Sequence, residues 1–251
     1  MSSKKYLVPF FTAGYPELHS TSTIIQSLDN VGSDYIEIGL AHSDALADGP
    51  VIQESSHRAL SNGMNIEVLF QQVKACPPTK AKLILFSYFN PIVVYGIEKV
   101  VKAWSDAGGS CLLVPDLPIE ESETLSELCN LNGLSLIHLV APTSTPERIK
   151  NIVQHSTEFI YLVSVTGVTG GKSAINLEEI QQTILTIKKI NPNIPVLIGF
   201  GIASPEHAKN ALSIGADGVI IGSALIRKMK DENLLVVESL LKEIRQTLNV
   251  S

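Results

Sequence analysis

Tyr35-Ile36-Glu37-Ile38-Gly39-Leu40-Ala41-His42-Ser43-Asp44-Ala45-Leu46-Ala47-Asp48-Gly49-Pro50 begins as a strand and runs straight into an acidic loop. The first five residues alternate, with Tyr35, Glu37 and Gly39 on one face and Ile36 and Ile38 on the other. The isoleucines suit a face covered by helices, which turns Glu37 to the opposite, inner face. A carboxylate inside a short apolar strand is costly unless it is paired or neutral. The loop that follows carries Asp44 and Asp48 and stops at Gly49-Pro50. Two readings fit: an inward Glu at a strand end beside a functional acidic loop, or a structural Glu bonded to a hydroxyl plus two turn aspartates.

Working outward, seven more strands of similar length are predicted: Leu7 to Thr12 before this one, then Lys82 to Ser87, Cys111 to Val114, Ser135 to Val140, Phe159 to Val163, Val196 to Ile198 and Val219 to Ile221. Helical patterns separate them. Ser20 to Leu28, Val51 to Leu60, Ile66 to Lys74, Ile97 to Asp106, Glu120 to Asn130, Leu177 to Lys189, Pro205 to Ile214 and Asn233 to Leu248 carry the periodicity. Another helix starts at Thr145-Pro146, with Thr145 as N-cap and Pro146 in the first turn. Tyr88-Phe89-Asn90-Pro91 reads as a turn closing strand three. Short apolar strands joined by crossovers of helical length require a parallel sheet. Eight such units in 251 residues predict an α/β fold, the (β/α)₈ TIM barrel, as a single domain spanning 1–251. The competing doubly wound sheet lacks a G-x-G-x-x-G turn after strand one.

The chain is 45% hydrophobic and 18% charged, a globular balance. Its net charge of −6, with no basic block, argues against nucleic acid or an anionic membrane as partner. Cys76, Cys111 and Cys129 are odd in number and far apart, which fits a reducing, cytoplasmic compartment. No signal peptide and no membrane span are expected.

In such barrels the chemistry sits at the C-terminal ends of the strands. The last three ends are Gly167-Val168-Thr169-Gly170, Gly199-Phe200-Gly201 and Gly222-Ser223-Ala224. Glycines there let backbone N–H groups approach an anion, and a helix start after strand eight adds its positive end, so a phosphate site is predicted. A lone glycine would need no more explanation than a tight turn. Across the mouth lie Glu37 and Asp48, with Tyr161 turned inward near Glu37. Phe10, Ile52, Phe200 and Ile220 supply apolar walls. Lys82 is at the N-terminal end of its strand and Lys172 is in a loop, which sets aside a Schiff-base mechanism. The six histidines show no metal-ligand spacing, and His138 in strand five reads as a satisfied core residue. No metal and no cofactor on this chain are expected. Proton transfer by carboxylates on a phosphorylated, partly aromatic substrate remains.

Over nearly its whole length the chain resembles the tryptophan synthase α subunit. The resemblance is carried by Phe10-Phe11-Thr12-Ala13-Gly14-Tyr15-Pro16, Ile36-Glu37-Ile38-Gly39, Leu46-Ala47-Asp48-Gly49-Pro50, Tyr88-Phe89-Asn90-Pro91, Pro115-Asp116-Leu117-Pro118, Gly167-Val168-Thr169-Gly170, Gly199-Phe200-Gly201-Ile202 and Gly222-Ser223-Ala224. It implies retro-aldol cleavage of indole-3-glycerol phosphate to indole and glyceraldehyde 3-phosphate. Indole would pass to a pyridoxal-phosphate-dependent β subunit in an α2β2 complex. Glu37 would act at C3 of the indole, Asp48 would accept the N–H proton, and Tyr161 would hold and polarise the site. Thr169, Gly170, Gly201, Gly222 and Ser223 would bind substrate at the phosphate end. Asp116 would position the loop carrying Asp48.

Departures concentrate in the loops. Ala41, His42 and Ala45 replace a usual Pro, Phe and Pro, Val165 replaces Arg, and Ser87 stands where Met is common. The usual helix before strand one is almost absent. These changes keep two alternatives open: a stand-alone lyase releasing free indole, or a weakly active allosteric subunit for the β chain.

Overall fold

The computed structural model describes residues 4–163, 177–199, 201–231 and 233–250. Eight parallel strands close into a barrel in chain order, β1 to β8, with β8 pairing back onto β1. They are β1 Tyr6–Thr12, β2 Tyr35–Gly39, β3 Lys82–Phe86, β4 Cys111–Leu113, β5 Ser135–Val140, β6 Ile160–Val163, β7 Val196–Gly199 and β8 Gly218–Ile221. The helices are α1 Thr21–Asn30, α2 Pro50–Ser61, α3 Ile66–Lys74, α4 Phe89–Tyr95, α5 Ile97–Asp106, α6 Glu123–Leu131, α7 Pro146–His155, α8 Leu177–Ile190, α9 Pro205–Ser213, α10 Ser223–Asp231 and α11 Leu234–Val250.

Strand alternation sorts the core into two layers. Leu7, Ile36, Ile38, Leu85, Leu112 and Val219 point outward and pack under the helices. Val8, Tyr35, Ile84, Leu113, Phe159 and Leu197 fill the barrel interior. Burying each large aliphatic side chain contributes about 1.5–3 kcal/mol, so a one-residue slip of β2, exchanging Glu37 for Ile36 or Ile38, is strongly disfavoured.

The N-terminal end of the barrel is plugged. Tyr35 donates to Glu158 at 2.8 Å, Lys82 pairs with the same carboxylate at 2.8 Å, and Phe159 packs edge-on against Tyr35. Burial pushes the Glu158 carboxyl up, but the hydrogen bonds from Lys82 and Tyr35 outweigh it and hold the group below its ordinary value. A cavity lies at the opposite mouth, at the C-terminal ends of the strands.

Two stretches differ from the sequence expectation. Tyr88-Phe89-Asn90-Pro91 is not a turn, because α4 starts at Phe89. Pro91 is tolerated there because the first-turn N–H groups of a helix have no intrahelical partner to lose. Asp116 accepts the Phe89 N–H at 2.8 Å and so caps this start. The helix predicted from Glu120 is interrupted, with a 3₁₀ turn at Ile119–Glu121 ahead of α6. The start at Thr145 is as predicted: its hydroxyl accepts the Arg148 N–H, with Pro146 in the first turn.

Candidate active site

Glu37 lies in the middle of β2, in register with Phe10 on β1 and Ile84 on β3. It points into the barrel and is 2% exposed. Its Oε2 has no hydrogen-bond partner among the described residues. Burial, reinforced by the nearby Asp48 carboxylate, pushes its pKa up to about 8. Protonation removes the penalty of burying the charge, so at neutral pH Glu37 is mostly a carboxylic acid.

Asp48 ends the loop after β2 and precedes Gly49, the N-cap of α2, with Pro50 at the first helical position. Gln53 clamps the loop by donating to the Ala45 and Asp48 carbonyls at 3.2 and 3.0 Å. The Tyr88 hydroxyl accepts the Ala47 N–H at 2.9 Å and hydrogen-bonds the Asp48 carboxylate. Burial raises the Asp48 pKa to about 6, against the lowering effect of that tyrosine bond. Two neighbouring carboxyl groups thus take opposite protonation states near pH 7.

Both line a cavity of about 330 Å³ at the C-terminal mouth. Of the other residues singled out from the sequence, Phe10, Ile52, Tyr161, Gly201, Ile220, Gly222 and Ser223 line it too. Phe86 completes the apolar wall, edge-on to Phe10 at a centroid distance of 5.6 Å. α10 begins at Ser223, so its N-terminus faces the cavity. Thr169, Gly170 and Phe200 lie outside the described residues.

The glycines divide by role. Gly201, at φ +80°, and Gly222 face the cavity. Gly199 makes room instead: a Cβ there would sit 2.2 Å from the Tyr161 hydroxyl oxygen. Gly39 likewise admits the Phe10 ring, 2.7 Å from where its Cβ would be.

Asp116 does not line this cavity. Its bond goes to α4, next to Tyr88, and Tyr88 is the side chain that touches the Asp48 loop. Among the lining or supporting residues that escaped the sequence reading are Phe86, Arg227 and Tyr88. Phe86 was readable from alternation in β3, which puts 82, 84 and 86 on one face. Arg227 stands four residues after Ser223, hence on the same helix face. Tyr88 lies beyond the end of its strand, and nothing in the spacing marked it.

The fold and the site define a (β/α)₈ barrel with two buried carboxyl groups and an apolar slot at its mouth. The family described as tryptophan synthase alpha chain matches residues 1–249. The chain is 46% identical to the tryptophan synthase alpha chain of Pyropia yezoensis over 226 residues, covering 89% of this chain and 84% of that one. The crystal structure of tryptophan synthase subunit alpha from Legionella pneumophila str. Paris superposes with a TM-score of 0.87 at 32% identity, covering 99% and 94% of the two chains. A structure of Mycobacterium tuberculosis tryptophan synthase gives a TM-score of 0.89 at 30% identity, with the same coverage. The chain belongs to the tryptophan synthase alpha chain family.

Proposed function

We propose that this chain cleaves indole-3-glycerol phosphate to indole and glyceraldehyde 3-phosphate, with Glu37 and Asp48 as the acid–base pair. The observation that carries the reading is their opposite poise in one cavity, with Glu37 pushed up to about 8 and Asp48 to about 6. Glu37 gives its proton to C3 of the indole while Asp48 takes the N–H proton, so the ring becomes its neutral 3H tautomer. Glu37, now ionised, removes the proton of the hydroxyl on the adjacent side-chain carbon. The bond from C3 to that carbon breaks, its electrons return to the ring, and Asp48 restores the proton to nitrogen. Both carboxyl groups end as they began, and the hydroxyl-bearing carbon leaves as the aldehyde.

The indole would lie against Phe10, Ile52, Phe86 and Ile220, with the Tyr161 hydroxyl beside the acid pair. The phosphate would sit on the N-terminus of α10 at Gly222 and Ser223, with Gly201 opposite and Arg227 at the rim. Thr169, Gly170 and Phe200 belong to the same proposal. Asp116 acts at one remove, by capping α4 beside Tyr88.

The product indole goes to a β subunit, the carrier of pyridoxal phosphate, in an α2β2 complex. Leu46 in the Asp48 loop and Val94 in α4 support a docking face, being 84% and 79% exposed. Among the described residues no helix is long and apolar enough to cross a membrane. A cytoplasmic location is part of the reading, supported by three free cysteines.

The test is indole release from indole-3-glycerol phosphate by the purified chain, with and without a cognate β subunit. Release that rises with the partner is expected. No release in either case would overturn the catalytic reading, and a rate indifferent to the partner would make the chain a stand-alone lyase.

A further inference from the structure

A second cavity, of about 380 Å³, lies between the segment 114–118 that follows β4, the 3₁₀ turn with Ser122, β5 and α7. None of its lining residues lines the acid–base cavity. Val114, Leu136 and Ile152 give it an apolar wall, and its size is that of a small-molecule pocket.

The polar groups around it are unusual for a structural void. His138 was expected to be a satisfied core histidine, yet its Nε2 has no partner among the described residues although the side chain is buried. Most buried polar atoms in folded proteins are bonded, so this one calls for a ligand or water. Burial lowers its pKa to about 4, so the ring is neutral at pH 7 and carries one donor and one acceptor nitrogen. Arg148 on α7 also lines the cavity and pairs with Glu120 of the 3₁₀ turn at 2.5 Å. Both partners of that pair are substantially exposed, so the pair is weak and its guanidinium can take another carboxylate in place of Glu120. Asp116 lies at the cavity as well, with one oxygen taken by the Phe89 N–H. Two carboxylates beside one guanidinium oppose a phosphate dianion more strongly than a single negative charge.

We propose that this cavity binds a small monocarboxylate with an apolar body and one further polar atom. The carboxylate takes Arg148 from Glu120, the body lies on Leu136 and Ile152, and the polar atom bonds the His138 imidazole. The inference does not depend on the lyase reading.

The probe is 3-(4-hydroxyphenyl)propionate, titrated into the full ¹⁵N-labelled chain and followed by NMR. Saturable shifts at Ser122, His138 and Arg148 are expected, with a Kd of about 1 mM or tighter. The neutral amide of the probe, and Arg148→Gln with the probe, should each weaken binding about tenfold or more. His138→Phe should abolish the advantage of the probe over 3-phenylpropionate, which lacks the hydroxyl. If either variant fails to fold, the amide and hydroxyl-free comparisons on the native chain carry the same test. No shifts at these residues up to about 10 mM, shifts only around Phe10 and Ile220, or equal binding of acid and amide would each overturn the proposal.

Discussion

The Tyr88 hydroxyl joins the Asp48 carboxylate to the barrel: it accepts the Ala47 N–H at 2.9 Å and hydrogen-bonds Asp48. The tyrosine sits between the end of β3 and the start of α4, so a rigid element holds a residue that the loop alone would leave free. Its bond is also the influence that lowers the Asp48 pKa against burial. Tyr88→Phe should therefore raise the Asp48 pKa above about 6 and lower kcat near pH 7 by about tenfold, in line with a lost bond to a charged group. The check is the acidic limb of the pH–rate profile. An unmoved limb would mean that Tyr88 only packs.

In the proposed mechanism the two carboxyl groups set a window for activity. It requires Asp48 ionised and Glu37 protonated, so kcat/KM should be bell-shaped, with limbs near 6 and 8. Glu37→Gln should remove the alkaline limb and Asp48→Asn the acidic one, each with kcat lowered about 10²–10⁴-fold. A Glu37 variant keeping more than about a tenth of the native kcat would remove it from the catalytic role.

Glu37 also costs stability at high pH. Its ordinary pKa of 4.5 rises to about 8 in the fold, so between those values the native state holds more protons than the unfolded chain. Stability must then fall as pH rises, by up to about 1.4 kcal/mol per pH unit. Asp48 adds a slope of the same sign only up to about pH 6, and His138, held at about 4 against its ordinary 6.5, adds an opposite slope up to about pH 7, so the interval from about 7 to 8 isolates Glu37. Urea unfolding of Glu37→Gln across that interval should show the slope abolished and the variant more stable than the native chain at pH 9.

The sequence carried the barrel far because its signals are periodic. Eight apolar strands and their alternation placed Glu37, Tyr161 and Phe10 inward without any structure. Sterics hid α4, since Asn90-Pro91 reads as a turn unless Asp116 is known to cap Phe89 from a distant loop. The same long-range contact hid Tyr88. Gly199 was legible as a glycine but not in its role, because the clash it avoids is with a side chain on another strand. His138 was placed in its strand correctly, but its missing partner could be seen only in the assembled fold.

That cross-strand contact yields a steric prediction. Gly199→Ala would put a Cβ 2.2 Å from the Tyr161 hydroxyl oxygen, so the ring must move out of the acid pair's neighbourhood. A stability loss of about 1–3 kcal/mol is expected, with a fall in kcat. Shortening the clashing side chain in the pair Gly199→Ala, Tyr161→Leu should cost less stability than the two single changes summed, while activity stays low. Additive stability effects would place the strain elsewhere.

The Asp48 loop carries alanine at the two positions, 41 and 45, where the resemblance leads one to expect proline, yet it is anchored. Ala41 and Ala45 are buried, and Gln53 and Tyr88 fasten the segment from two sides. Neither alanine's N–H makes a hydrogen bond among the described residues, so proline at either position removes none of the loop's bonds. The remaining effect of proline is on chain entropy, worth about 0.4–1 kcal/mol where the backbone angles allow it. Ala41→Pro and Ala45→Pro should therefore raise the basal kcat about two- to fivefold and reduce the activation by a β subunit, because less ordering is left for the partner to supply. The measurement is kcat of each variant alone and in complex. If both quantities stay at their native values, loop stiffness is not what these substitutions altered. The ring contact between His42 and Tyr88, at 5.5 Å, would then be the next feature of this loop to vary.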